Sequence, residues 1–113
     1  RYNEKLNGLP IRTPYCLPEA NPAWHLYIVR LDLDRVKKSK QEIFAGMKEH
    51  GVMLNLHYIP VHLQQYYRDL GFGYGDFPVS EQYYREALTL PLYYDLTDAQ
   101  QDEIIAALRD VLA

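Results

Sequence analysis

The clearest periodicity lies near the C-terminal end of the chain. Ile104, Ile105, Leu108, Val111 and Leu112 recur at helical spacing and make one apolar stripe. Thr97 and Gln100 stand in front of it with capping-box spacing, and Asp98 suits the positive start of a helix. A helix from Thr97 is therefore predicted. A second stripe, Ile43, Phe44 and Met47, belongs to a helix starting at Ser39, with Glu42 as capping partner and Gly51 as left-handed stop. Trp24 to Asp32 alternates with a period of two and predicts a strand. Trp24, Leu26 and Ile28 fall on one face; His25, Tyr27, Val29 and Leu31 fall on the other. The two helices are expected to cover one face. The Tyr27, Val29 and Leu31 face is expected to be covered from outside the chain, by a larger domain or a second subunit.

Val52 to His57 reads as a second strand. It would run parallel to the first if the two are neighbours, or flank a third strand with it. Leu63 to Leu70 reads as a short helix. Gly71, Gly73 and Gly75 make a flexible turn, and no helix or lysine follows directly as a phosphate loop would need. A third helix is predicted from Pro78 and Ser80, with Ser80 as N-cap. Thr89 to Tyr93 is extended, and Pro91 marks it as an edge strand or loop. Residues 1–22 carry Pro10, Pro14, Pro18 and Pro22, which argue against a helix. They read as a proline-rich entry segment, with residues 23–113 forming the domain. The fold class that follows is α/β (α+β): two layers, helices on a small mixed sheet.

Composition adds limits. At 113 residues with 48% hydrophobic and 24% charged positions, the chain suits one folded core and not a disordered segment. A formal charge of −3 with scattered Lys and Arg argues against a nucleic-acid surface. No apolar run reaches membrane-spanning length, and no secretory leader pattern is visible. Cys16 is the sole cysteine and cannot close an internal disulfide, so a reducing cytoplasm is the expected compartment. The eleven tyrosines, several in pairs, exceed what so small a core can hold. Together with the start at Arg1, they suggest a piece of something larger.

Candidate chemistry gathers between Gly51 and Arg68. His57, Tyr58, Ile59 and Pro60 follow an apolar run, with His62 just beyond. A segment stiffened by proline can present such side chains to a ligand, or its His and Tyr can simply complete the core. Metal binding by His57, His62, His25 or Cys16 lacks any ligand spacing. Cys16 has nothing around it to activate a thiolate. Glu81, Glu86, Asp95 and Asp98 read as helix-start or solvent-face acids with structural roles. No reaction follows from the residues alone.

Several motifs in order carry a resemblance. They are His57 to Gln64, Tyr66-Tyr67-Arg68, Gly75-Asp76-Phe77-Pro78-Val79, Leu88 to Tyr93 and Leu96-Thr97. From about Leu9 onward the chain resembles the small C-terminal domain of the DegT/DnrJ/StrS aminotransferases. Gln65 and Tyr94 depart from it, standing where related sequences commonly have proline. The resemblance implies a pyridoxal 5'-phosphate enzyme. It would move an amino group from an amino acid, with glutamate the expected donor, to the 4-keto group of a UDP-linked deoxy sugar in amino-sugar and polysaccharide biosynthesis. It implies a homodimer, and a cofactor lysine in a large N-terminal domain not represented here, so the chain alone is expected to be inactive. It places His57, Tyr58, Ile59, Pro60 and His62 beside the nucleotide sugar, with no catalytic, cofactor-binding or metal-binding residue in the chain. The competing expectation is a non-catalytic, tyrosine-rich module that binds carbohydrate or protein, or dimerises.

Overall fold

The computed structural model describes residues 1–113. The elements in chain order are α1 (Tyr2–Lys5), β1 (Ile11–Arg12), β2 (Tyr27–Leu31), α2 (Lys40–Glu49), a 3-10 turn at Val61–Leu63, α3 (Gln65–Asp69), α4 (Pro78–Glu86), β3 (Ala87–Leu90) and α5 (Asp98–Leu112). The sheet order is β1-β2-β3, and both pairings are antiparallel. Val29 lies opposite Leu88, and Arg30 opposite Ala87.

The two long helices begin as their caps dictate. Ser39 and Thr97 each accept a bond from the third backbone N–H of the helix, and Glu42 and Gln100 each reach back to the cap's own N–H. At the end of α2, Gly51 has φ +75°. The N–H of Gly51 bonds to the Lys48 carbonyl, and that of Val52 to the Met47 carbonyl. This is the double closure of a left-handed glycine cap. Val52 and Met47 are both buried, so the cap also turns the chain back into the core.

That core joins α2 and α5 to the sheet through Ile43, Met47, Ile104, Leu108, Val29 and Leu88. Gly46 allows the helices to approach closely, since a Cβ there would stand 3.0 Å from a Val111 methyl. The two-layer reading holds, but the sides of β2 are the reverse of expectation. Tyr27, Val29 and Leu31 are 5%, 0% and 1% exposed within this one chain, so that face is the core and needs no outside cover. The signal was Arg30. It continues the Trp24, Leu26, Ile28 series and marks that face as the outer one.

Three further expectations change. The first residues are not a bare linker: Tyr2 and Leu6 of the α1 region are buried in the core, and Asp32 donates its N–H to the Pro10 carbonyl beside β1. The four prolines all follow this helix, so they never opposed it. Tyr15 and Leu17 stay exposed and do not reach the core. Ala87–Leu90 is not an edge strand but is buried throughout, between β2 and the chain at Asn55. Pro91 stands just past its end and ends it. Residues 52–57 form no full strand, only an antiparallel bridge from Asn55 to Thr89. They flank β3 opposite β2 and so run parallel to β2, which gives the otherwise antiparallel sheet its mixed character.

Helix α4 begins with Pro78 at its first position after Phe77, not with Ser80 as cap. Proline fits there because the missing N–H would lack a helical partner anyway.

Candidate functional site

The bridge at Asn55 fixes the base of the segment that follows. Both backbone bonds between Asn55 and Thr89 form, at 2.9 and 3.1 Å. Two residues on, His57 Nδ1 lies 2.8 Å from the Thr89 hydroxyl oxygen. One ring nitrogen is thus engaged by β3, and the ring is fixed on a rigid element. Tyr58 packs edge-on against His57, with ring centroids 4.6 Å apart, and is itself 72% exposed. The peptide between them is cis. Ile59 is exposed, whereas Pro60 turns inward and is buried. The segment therefore offers a His edge, a Tyr ring and an aliphatic side chain outward, from a base held at both ends.

His62 behaves differently. It is buried, and its Nε2 lies 3.0 Å from Glu81 Oε1. Glu81 also accepts the N–H groups of Gly75 and Phe77. Burial alone would push the Glu81 carboxyl up. The bonds from His62, Gly75 and Phe77 outweigh that and hold it below the usual carboxylate range. One carboxylate thus ties the 3-10 turn, the glycine turn and the start of α4 together. Glu81 stands in the first turn of α4 with a structural role, as the sequence leads one to expect, but it is buried and does not lie on a solvent face. The cluster backs a groove of about 350 Å³ lined by Val61, His62, Tyr67, Phe72, Phe77 and Ser80. Residues 61–80 are what bring these rings together, and no spacing in the sequence marks them as a set.

Glu86 also has a structural role, but it lies neither at a helix start nor on a solvent face. It is buried at the end of α4, where it accepts from Arg30 Nε at 2.7 Å and from Gln82 Nε2 at 2.8 Å. Desolvation would raise its carboxyl, but Gln82 and Arg30 hold it low. The pair fastens α4 to the outer face of β2.

An α/β domain with its two long helices packed on one face of a small mixed sheet, and a rigid His-Tyr-Ile-Pro segment at its edge, is a structural class with close counterparts. The family model of the DegT/DnrJ/EryC1/StrS aminotransferases matches residues 1–109, and the chain belongs to that family. The spore coat polysaccharide biosynthesis protein SpsC of Bacillus subtilis is 33% identical over 115 residues, covering 99% of this chain and 30% of SpsC. Spr1654 from Streptococcus pneumoniae, assigned as a sugar aminotransferase, superposes with a TM-score of 0.84 at 29% identity, over 97% of this chain and 28% of that one. Spr1654 has been solved in PMP and PLP forms as well. The fold alone is shared with Helicobacter pylori PseC, an aminotransferase involved in the biosynthesis of pseudoaminic acid: TM-score 0.86, 20% identity, 98% of this chain and 30% of that one. The chain thus spans about 30% of the length of the relatives it matches.

A pyridoxal phosphate held by these residues would need a lysine amine in a cavity, an acid partner for the ring nitrogen and donors for the phosphate. The lysines here do not supply that setting. Lys5 is paired with Asp102, Lys38 donates to the Val111 carbonyl, and Lys37 and Lys48 are exposed. Lys40 lies in a recess with Gln41, Phe44, Leu56 and Tyr84, which contains neither an acid nor a phosphate-binding cluster. These residues do not fit the cofactor.

Proposed function

We propose that this chain is the C-terminal, substrate-side domain of a pyridoxal-phosphate aminotransferase. The enzyme transfers an amino group from an amino acid, glutamate in this reading, to the 4-keto group of a UDP-linked deoxy sugar. The motif order resembles that of the branch that makes pseudaminic-acid precursors. The cofactor and its lysine belong to a large N-terminal domain of the same polypeptide, and two such polypeptides form a dimer in the cytoplasm. When bound, pyridoxal phosphate supplies the electron sink for transamination.

The observation that carries this reading is the family match together with the geometry of His57 and Tyr58. Thr89 engages one nitrogen of His57 and leaves the other ring edge available. Tyr58 stands beside it and exposes both its ring and its hydroxyl end. A flat ring and hydrogen-bonding edges suit a nucleotide sugar, whose phosphate and hydroxyl oxygens need partners. Ile59 adds an apolar contact, and Pro60 fixes how the segment leaves. His62, held inside by Glu81, serves the site by fixing the segment's far end.

The test uses the full-length protein. Borohydride reduction of the enzyme loaded with pyridoxal phosphate, followed by peptide mapping, should place the modified lysine outside the region matching residues 1–113. The isolated chain should show neither a dialysis-resistant aldimine band nor transamination. A stable band on the isolated chain would overturn the domain assignment. So would a full-length protein that binds no pyridoxal phosphate, which would favour a non-catalytic binding module.

A further inference from the structure

Arg12 on β1 stands opposite Arg30 on β2 in the antiparallel register, so both side chains rise from the outer face of the sheet. Like charges directly opposite one another destabilise a strand pair. Only one of the two is answered. Arg30 places Nε and Nη2 at 2.7 and 2.6 Å from Glu86 Oε2, and Gln82 donates to the other oxygen, Oε1, at 2.8 Å. Glu86 is buried, and both its oxygens are engaged. Arg12 is exposed and takes part in no ion pair. The Arg30 guanidinium carbon also lies 5.9 Å from the centre of the Tyr83 ring. Glu86 and Tyr83 thus hold the Arg30 guanidinium in place and leave its Nη1 without a partner.

These groups border a cleft of about 490 Å³, the size of a small-ligand pocket. Leu26 and Ile28, half-buried on the same outer face as Arg30, give it an apolar floor. Tyr15 lines it too and is 82% exposed, a ring with almost nothing packed on it. No carboxylate lines the cleft. It lies on the β1 side of the sheet, whereas the His57 segment lies beyond β3.

We propose that this cleft binds a nucleoside phosphate, at a site separate from the His57 segment. The phosphoryl oxygens sit between Arg12 and the unengaged Nη1 of Arg30, since guanidinium forks recognise phosphate through paired N–H bonds. The anion offsets the like-charge repulsion across the strand pair. The base lies against the Tyr15 ring, which can stack on any base, and over Leu26 and Ile28. A bare anion would leave that ring and floor uncovered. An apolar ligand would leave Arg12 unanswered.

The experiment labels the arginines of the full-length protein with phenylglyoxal and reads each position by mass spectrometry. Adenosine monophosphate, uridine monophosphate, inorganic phosphate and the free nucleosides are the probes. At about ten times its Kd, a nucleotide should slow the labelling of Arg12 about tenfold by mass action. The exposed Arg35 and Arg85 should label at unchanged rates. Inorganic phosphate should protect Arg12 only at higher concentration, and the free nucleosides not at all. Tyr15→Ala, checked for folding by circular dichroism, should remove the advantage of nucleotide over phosphate. In equilibrium dialysis the parent should bind one equivalent of nucleotide more than Arg12→Gln. An Arg12 that no nucleotide protects would overturn the proposal, as would equal slowing at Arg35 and Arg85. Equal protection by phosphate and nucleotide would overturn the ligand class. An Arg12 that is unreactive without any ligand would show the cleft covered by another part of the polypeptide, and would also overturn it.

Discussion

Glu81 holds more of the local architecture than any other charged residue near the site. Its carboxylate accepts from His62, Gly75 and Phe77, and the His62 and Phe77 rings also pack on each other with centroids 4.8 Å apart. Removing the negative charge while keeping the shape, by Glu81→Gln, weakens every one of these bonds. The variant should melt at a lower temperature than the parent at neutral pH. The sign of the pH dependence follows from the direction of the shift. Glu81 is held below its ordinary value in the folded chain, so its stabilisation is fully present above the unfolded carboxylate range. It is lost as pH falls through the lower folded value. The difference in melting temperature between parent and Glu81→Gln should therefore shrink on acidification. A difference that grows in acid would contradict the role given to this carboxylate. None of this was legible from spacing. His62 and Glu81 are 19 positions apart and Arg30 and Glu86 are 56 apart, and only the folded chain brings each pair together.

At the scale of elements, legibility tracked distance along the chain. Caps and stripes are local, and Ser39, Thr97, Gly51 and the α5 stripe lie where the pattern put them. Strand partners are not local. Ala87–Leu90 was concealed because Pro91 stands at its end, although a proline just after a strand costs that strand nothing. The two faces of β2 are both largely apolar, and what marks the outer one is Arg30, whose partner Glu86 on α4 is 56 positions away. The α5 stripe yields the firmest stability prediction. Leu108 is fully buried between α2 and the sheet, and Leu108→Ala should destabilise the fold by about 2–5 kcal/mol in chemical denaturation. A loss below about 1 kcal/mol would mean that the α5 face is not packed as described.

The whole molecule is a core with an unequal surface. One face of the sheet is closed by α2 and α5. Around the 57–80 region, Tyr58, Tyr66, Tyr74 and Val79 remain exposed at 72%, 69%, 77% and 83%. So large an apolar surface on so small a domain fits a chain that spans about 30% of its relatives' length. Family membership was legible through several short motifs in order. The anchoring proposed to serve His57 and Tyr58 was not legible, because the sequence does not show that Thr89 holds one ring and leaves the other outward.

The most direct test of the account compares the two half-reactions of the full-length enzyme for His57→Ala and Tyr58→Phe. A contact made equally to bound sugar and transition state raises KM and leaves kcat nearly unchanged. Loss of a hydrogen bond to a charged group of the nucleotide sugar costs about 1.5–3 kcal/mol, or roughly ten- to a hundredfold in kcat/KM. The account predicts that loss in the keto-sugar half-reaction, with the amino-donor half-reaction unchanged. A collapse of the donor half-reaction, in which no sugar takes part, would contradict it. So would an unaltered KM for the sugar accompanied by a lower melting temperature.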